Sequence, residues 1–293
     1  MSFKPIPLPR AFLGFLAAGI LLLFAVALSW GSLALPFGGL AFILAISAMA
    51  ALAASLYALY RTLIPLTLRY HVSRDGVIVT WLLSQYVIPI RHIREIVLGA
   101  DDQGPGAWWT WPSRYVARLE GGSYGHVVSL ATRPLPEQIL LVTSDGVLGL
   151  SPADPEEFVS ALQERYRLGP ARLLTPGLQP PWIVRWPLWR DRLAVGLLFI
   201  GAMGVVLLFG WLSFTYAGLP EQVPLHFDAH GIADRIGPRS GLFVLPIISL
   251  LAWVVNGVWG GLVYARQRVA AYLLWGGALV VQLLTGMALV NLT

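Results

Sequence analysis

Four long segments of this chain contain no Asp, Glu, Lys or Arg: residues 11–60, 193–220, 240–265 and 269–293. A hydrocarbon core about 30 Å thick is crossed by roughly 20 apolar helical residues. The first segment is long enough for two crossings around a turn between Gly31 and Pro36. The sequence therefore predicts five transmembrane helices, at 11–30, up to about residue 60, 193–214, 241–264 and 269–291.

The charged residues are concentrated between the second and third predicted helices. Of the 35 charged residues, 26 lie at 61–192, as 14 Arg and 12 Asp or Glu. This composition is that of a soluble domain. We therefore divide the chain into an N-terminal transmembrane hairpin (1–60), a soluble domain (61–192), two helices with a polar loop at 217–239 (193–264), and a fifth helix (265–293). The small charge excess of the soluble part gives no reason to expect a nucleic-acid partner.

Basic residues near the helix ends predict the orientation, because Lys and Arg are enriched in cytoplasmic loops. They cluster before the first helix, after the second, before the third and between the last two. We therefore expect a multi-pass protein of the plasma membrane with its N-terminus and soluble domain in the cytoplasm. The loop at 217–239 and the C-terminus then lie outside. We favour a retained first helix over a cleaved signal peptide, since its apolar run exceeds the usual signal core.

The soluble segment has the alternating pattern of β-strands. We expect about seven antiparallel strands and then one amphipathic helix. Ser151 to Glu157 is a typical helix start, with a polar cap, proline in the first turn and acids at the positive end of the helix dipole. Phe158, Leu162 and Tyr166 are spaced to share one face of that helix.

This order of elements resembles the pleckstrin-homology (PH) superfold, and more closely the bacterial PH-like domains that are fused to membrane helices. The matching segments are YHVSRDGVIV, VIPIRHIREI, ATRP and VTSDGVLGLSPADPEEFVSALQERY. The resemblance implies a barrel-like β-sandwich capped by the final helix. The predicted fold class is thus membrane all-α, with five transmembrane helices, plus a β-rich PH-like domain with one C-terminal helix. It implies no activity, since one superfold hosts many functions.

A cluster of tryptophans interrupts the soluble domain at Trp108, Trp109 and Trp111. Indole side chains favour the headgroup layer of a bilayer, so the three could insert there. They could equally pack over the open end of the barrel. Both interpretations stay open at this point. If the cluster is exposed, it could contact either the membrane or a partner protein.

The predicted external loop contains the sharpest motif of the chain, LPEQVPLHFDAHGIADRIGP. It resembles the domain-of-unknown-function family 1648. The positions that fit are Leu219, Pro220, Val223, Pro224, His226, Phe227, Asp228, Gly231 and Asp234. That family includes the membrane immunity protein against a sporulation-delaying peptide toxin, which also relays a toxin signal to a cytoplasmic regulator. The resemblance implies a ligand or partner loop formed by Pro220, Pro224, His226, Phe227, Asp228, Gly231 and Asp234.

Three interpretations of the same loop remain open. His226, Asp228, His230 and Asp234 offer nitrogen and oxygen donors for Zn²⁺ or another divalent ion. Turn formation alone also explains its prolines, glycines and aspartates, with Asp234 paired to Arg235 or Arg239. Direct ligand contact is the third. We expect no resident metal or other cofactor.

The remaining sequence features point away from catalysis and transport. The chain has no Cys, no nucleophile–base pattern and no phosphate-binding glycine loop. We therefore expect that the protein is not an enzyme. The predicted helices contain no ionisable residue of the kind that ion pathways use. Asn256 and Gln282 are expected to hydrogen-bond between the last two helices, and Gly257 and Gly261 to allow close packing.

The sequence favours a non-enzymatic membrane protein for sensing, immunity or signal relay, with a cytoplasmic PH-like docking domain. The alternative is a structural or accessory subunit of a larger membrane complex. In both cases the partners are the lipid bilayer and proteins bound through the soluble domain or the transmembrane helices.

Overall fold

A computed structural model describes residues 1–8, 11–101, 110–227 and 233–293. They form two compact units, Met1–Phe24 with Ala50–Pro181, and Ala25–Met49 with Trp182–Thr293. In chain order the elements are β1 (Ser2–Phe3), α1 (Ala11–Ala34), α2 (Gly39–Thr67), β2 (Arg69–Val72), β3 (Gly76–Trp81), β4 (Ser84–Pro89), β5 (Ile93–Leu98), β6 (Val116–Glu120), β7 (His126–Leu130), β8 (Ile139–Thr143), β9 (Gly146–Leu150), α3 (Pro155–Leu168), β10 (Gly177–Gln179), α4 (Trp182–Arg185), α5 (Arg192–Thr215), β11 (Gln222–Phe227), β12 (Ala233–Pro238), α6 (Val244–Tyr264) and α7 (Arg268–Leu292).

Five of the described helices are long and apolar enough to cross a membrane: α1, α2, α5, α6 and α7. The predicted number of five is confirmed, and the chain is a multi-pass membrane protein. Two predicted ends were wrong. Helix α1 continues through Gly31 to Ala34, and α2 continues past Tyr60 to Thr67. A glycine within an apolar run costs a helix only about 1 kcal/mol, so it did not end α1.

The first unit contains two five-stranded sheets. Their strand orders are β1-β2-β3-β4-β10 and β5-β8-β9-β7-β6. The expectation of about seven antiparallel strands was too low, and one pairing differs in direction, since β7 and β9 run parallel. Two of the additional strands are β1 and β10. They are two and three residues long, and a proline lies within two residues of each, so neither shows the alternation of a longer strand.

The core between these sheets is closed by α3. Asp154 caps this helix, because its side chain accepts a hydrogen bond from the Glu157 amide at 3.0 Å. Phe158 and Leu162 are buried as predicted, whereas Tyr166 is 59% exposed and does not share their environment. The ring of Phe3, from β1, packs edge-on against Phe158 with 5.3 Å between centroids. The N-terminal residues are thus part of the soluble domain.

The second unit is built on α5, α6 and α7. Ser249 of α6 and Thr285 of α7 are joined by a 2.5 Å hydrogen bond. The indole of Trp253, on α6, donates to the Leu198 carbonyl of α5 at 3.1 Å. Such bonds satisfy polar groups that a bilayer would leave without partners.

Two expectations about this bundle were wrong. Gln282 bonds to α5 rather than α6, with Nε2 donating to the Gly201 carbonyl at 2.9 Å. Asn256 donates to Ala252 within its own helix. The close approach of α6 and α7 is at Gly260 rather than Gly261, since a Cβ on Gly260 would lie 2.3 Å from the Trp275 indole nitrogen. Glycine spacing alone does not reveal which face meets the neighbour.

Candidate functional site

The polar segment between α5 and α6 folds as a hairpin of β11 and β12. Val223 pairs with Gly237 and His226 with Arg235, with register shifts on both sides of His226. Leu225 is left without a partner in the register, which makes it a bulge residue. Pro224 and Pro238 fit here because a two-stranded sheet consists only of edge strands, which tolerate a missing N–H.

The base of the hairpin is held by apolar packing. Val223 is 1% exposed. It lies in one buried cluster with Leu212 of α5, Leu289 of α7 and Leu242, which precedes α6. Leu225 packs against two glycines. A Cβ on Gly237 would lie 2.6 Å from Leu225 Cδ1, and one on Gly241 would lie 3.0 Å from it. The hairpin is therefore seated on the ends of the helices rather than suspended from them.

Arg239 ties the second strand to the end of α5. Its amide donates to the Glu221 carbonyl at 3.0 Å. Its guanidinium donates to the carbonyls of Tyr216 at 3.3 Å and Leu219 at 3.1 Å, and lies 4.7 Å from the centroid of the Tyr216 ring. A cation over an aromatic face adds a further attraction. The predicted pairing of Asp234 with Arg235 or Arg239 stays a prediction, because the side chain of Asp234 lies outside the described residues.

An aromatic cluster extends this base. The ring of Phe37, in the turn between α1 and α2, lies 5.1 Å from that of Tyr216 and 4.5 Å from that of Phe243. Edge-to-face rings at such distances contribute beyond their buried area. This cluster could not be predicted from the sequence, because its members are far apart in the chain.

The opposite face of the hairpin is open to its surroundings. His226 and Arg235 are exposed, and Ile236 is 64% exposed. Of the other predicted loop residues, Pro220 is exposed and Pro224 half-buried. Asp228, His230 and Gly231 lie outside the described residues, as do the side chains of Phe227 and Asp234. Among described side chains there is no group of three metal-ligating residues. Of the four predicted metal ligands, only His226 has a described side chain, so the metal hypothesis stays a prediction.

Arg61 is a second feature that the sequence missed. It lies inside α2, and its Nη2 donates to the carbonyls of Thr110 at 2.6 Å, Ser113 at 2.8 Å and Val116 at 3.3 Å. The expectation that no charged residue lies within a transmembrane helix was thus wrong, because the chain after Tyr60 stays helical. Trp111 is half-buried in the segment that Arg61 binds. Trp108 and Trp109 lie outside the described residues.

A carboxylate joins three helix ends in the second unit. Asp191 caps α5 by accepting from the amides of Leu193 at 3.0 Å and Ala194 at 3.2 Å. Its other oxygen accepts from the phenols of Tyr264 at 2.6 Å and of Tyr272. These bonds, with that from Tyr264 the larger effect, lower the pKa of Asp191 to about 2. An Asp just before an apolar helix is the cap signal that would have located it.

Comparisons with known proteins agree with the two resemblances. Residues 68–166 match the family model of the bacterial PH domain, and residues 203–250 match that of a domain of unknown function, DUF1648. An uncharacterized protein of Archaeoglobus fulgidus is 41% identical over 56 residues, which are 19% of this chain. The match spans 31% of that relative's own length.

No solved structure is significantly similar to the chain. The two family matches occupy separate parts of the sequence, and the β11–β12 hairpin falls wholly within the second. The protein is thus a multi-pass membrane protein that carries a bacterial PH domain followed by a DUF1648 segment.

Proposed function

We propose that the protein is a non-enzymatic sensing or immunity protein that recognises a peptide at the outer face of the β11–β12 hairpin. The observation that carries the proposal is the division of the hairpin into two faces. Val223 and Arg239 hold its base, while His226, Arg235 and Ile236 are exposed. An exposed apolar side chain beside polar and cationic ones suits an amphipathic peptide.

The seating of the hairpin supports a relay through the bundle. Val223 shares its cluster with residues of α5 and α7, and Arg239 binds carbonyls at the end of α5. A ligand that binds the hairpin more tightly in one arrangement of these helices than in another shifts the population toward that arrangement. The PH-like domain is the proposed receiver, as a docking module for a protein partner.

Orientation is part of the same proposal. Ser2 and Phe3 pair with His71 and Tyr70 in the first sheet, so the N-terminal residues lie on the same side of the membrane as the PH-like domain. The arginine-rich helix ends favour the cytoplasm for that side. Arg61 binds the segment of Trp111, which supports contact of this indole with the headgroup layer.

The immunity assay uses bacteria that are sensitive to the sporulation-delaying peptide toxin and that express the full chain. We expect expression to raise survival, and His226→Ala with Ile236→Glu to remove the protection. The matched control is Leu98→Glu, since Leu98 is 76% exposed in the soluble domain. Protein levels in the membrane are compared by immunoblot. Wild-type protein that gives no protection, or protection that survives the hairpin substitutions, contradicts the proposal.

The second candidate, an accessory subunit of a membrane complex, is favoured by an open groove between α5 and α7. The groove has a volume of about 730 Å³ and apolar walls. Purification in mild detergent followed by mass spectrometry separates the candidates. A fixed stoichiometric set of partners favours the accessory subunit over the sensing protein.

A further inference from the structure

The groove between α5 and α7 has apolar walls and a glycine at its floor. Its rims are exposed side chains, among them Phe199 and Leu207 of α5 and Leu283 of α7, which are 65%, 65% and 68% exposed. Gly204 lines it from α5. A surface with small residues between two ridges is the shape that receives a helix in a membrane, because backbones can then approach closely.

Two polar side chains line this groove, Gln282 and Asn291, and of these only Gln282 is buried. Gln282 of α7 is 6% exposed, and its Nε2 donates to the Gly201 carbonyl. Its Oε1 lies over Gly204, where an added Cβ would be 2.3 Å away. Among the described residues no N–H or O–H group donates to this oxygen. Gln282 lies about 15 Å from the C-terminal end of α7, well within the apolar span.

An acceptor at that depth has no water to bind, so a free carbonyl oxygen there is costly. Acyl chains of lipids fill an apolar groove but carry no hydrogen-bond donor. A transmembrane helix with an amide or hydroxyl side chain meets both requirements, since it packs against the rims and donates to the oxygen.

We propose that this groove binds one transmembrane helix of a partner protein, which donates a hydrogen bond from an Asn, Gln, Ser or Thr side chain to Gln282 Oε1. A second copy of this chain fits less well. A twofold contact would place the same concave surface against itself, and two grooves face to face leave a gap. The proposal does not depend on what the hairpin recognises.

The test uses the full-length protein in vesicles and two synthetic helices. Both are lysine-flanked leucine helices of about 20 residues, and one carries a single central asparagine. Binding is followed by energy transfer between a labelled peptide and labelled protein. We expect the asparagine helix to bind roughly threefold to twentyfold more tightly than the leucine helix, the range that one hydrogen bond in a membrane supplies. Gln282→Leu should abolish the difference.

Two neighbouring leucines give the matched pair of variants. Leu283 lines the groove, whereas Leu284 does not, and they are 68% and 62% exposed. Leu283→Ala should weaken binding of the asparagine helix and Leu284→Ala should leave it unchanged. These variants keep Gln282 and its bond to α5, so they separate loss of the groove from loss of the fold.

Three outcomes overturn the proposal. Equal binding of the two helices by wild-type protein shows that the oxygen plays no part. Binding that never saturates with either peptide shows that the groove holds only lipid. Self-association of the labelled chain that Leu283→Ala disrupts and Leu284→Ala does not assigns the groove to a second copy.

Discussion

Replacement of Val223 by alanine tests whether the hairpin is seated on the helix bundle. Val223 is 1% exposed within its cluster, whereas Ile236, on the same hairpin, is 64% exposed. Val223→Ala removes two buried carbons, at about 0.8 kcal/mol each, and leaves a small cavity, so we expect a loss of about 2–3 kcal/mol. Ile236→Ala removes three carbons that are already mostly exposed and should cost at most about 0.5 kcal/mol.

The loss should appear as local opening of the hairpin. A change of 2 kcal/mol raises the open population roughly thirtyfold. Hydrogen exchange of the protein in lipid nanodiscs, read by mass spectrometry on the peptide that spans β11, measures this population. Faster exchange in Val223→Ala than in Ile236→Ala is expected. Equal exchange in the two variants would show that the buried base does not hold the hairpin.

Three further substitutions probe the other contacts. Asp191→Asn should destabilise the protein at neutral pH. The pKa of Asp191 is lowered to about 2 in the folded protein. The stability difference between the wild type and the variant is therefore largest above the unfolded carboxyl pKa of about 3.9, and it shrinks as pH falls toward 2. A difference in thermal unfolding that does not change with pH would refute this. Phe3→Ala should lower the stability of the soluble domain by about 3–5 kcal/mol in thermal unfolding, whereas Leu98→Ala should change it little. Unchanged stability of the Phe3→Ala protein would show that β1 is not part of the core. Arg61→Met should cost about 1.5–3 kcal/mol in protection of residues 110–116 from exchange, while Arg94→Met, at an exposed site, should not; matching exchange in both would mean that Arg61 does not hold that segment.

The parts of the fold that the sequence predicted are those with a strong local signal. Charge-free runs located the five spans, and Asp154 with Pro155 located the start of α3. The sheets were less accessible. The strand β1 pairs with β2 across α1 and α2, and a pairing between residues so far apart leaves no trace in either short segment.

The motif around Pro220 and His226 indicated the family match of this loop, while the role of the loop as a binding site stays a prediction. The contacts that hold its base, those of Val223 and Arg239, were visible only in three dimensions, because their partners come from α5, α7 and the segment that follows α5. Gln282 is a second example. Whether its side chain bonds to α5 or to α6 depends on how α7 is rotated about its axis, and the sequence does not reveal this rotation.

The absence of cysteine from the chain allows the topology to be measured directly with single-cysteine variants. Ile236→Cys reports on the hairpin and Leu98→Cys on the PH-like domain, and both positions are exposed. A membrane-impermeant maleimide added to intact cells should label Ile236→Cys at once, and Leu98→Cys only after the membrane is permeabilised. Labelling of both variants in intact cells, or of Leu98→Cys alone, would contradict an external hairpin separated by α5 from a cytoplasmic PH-like domain.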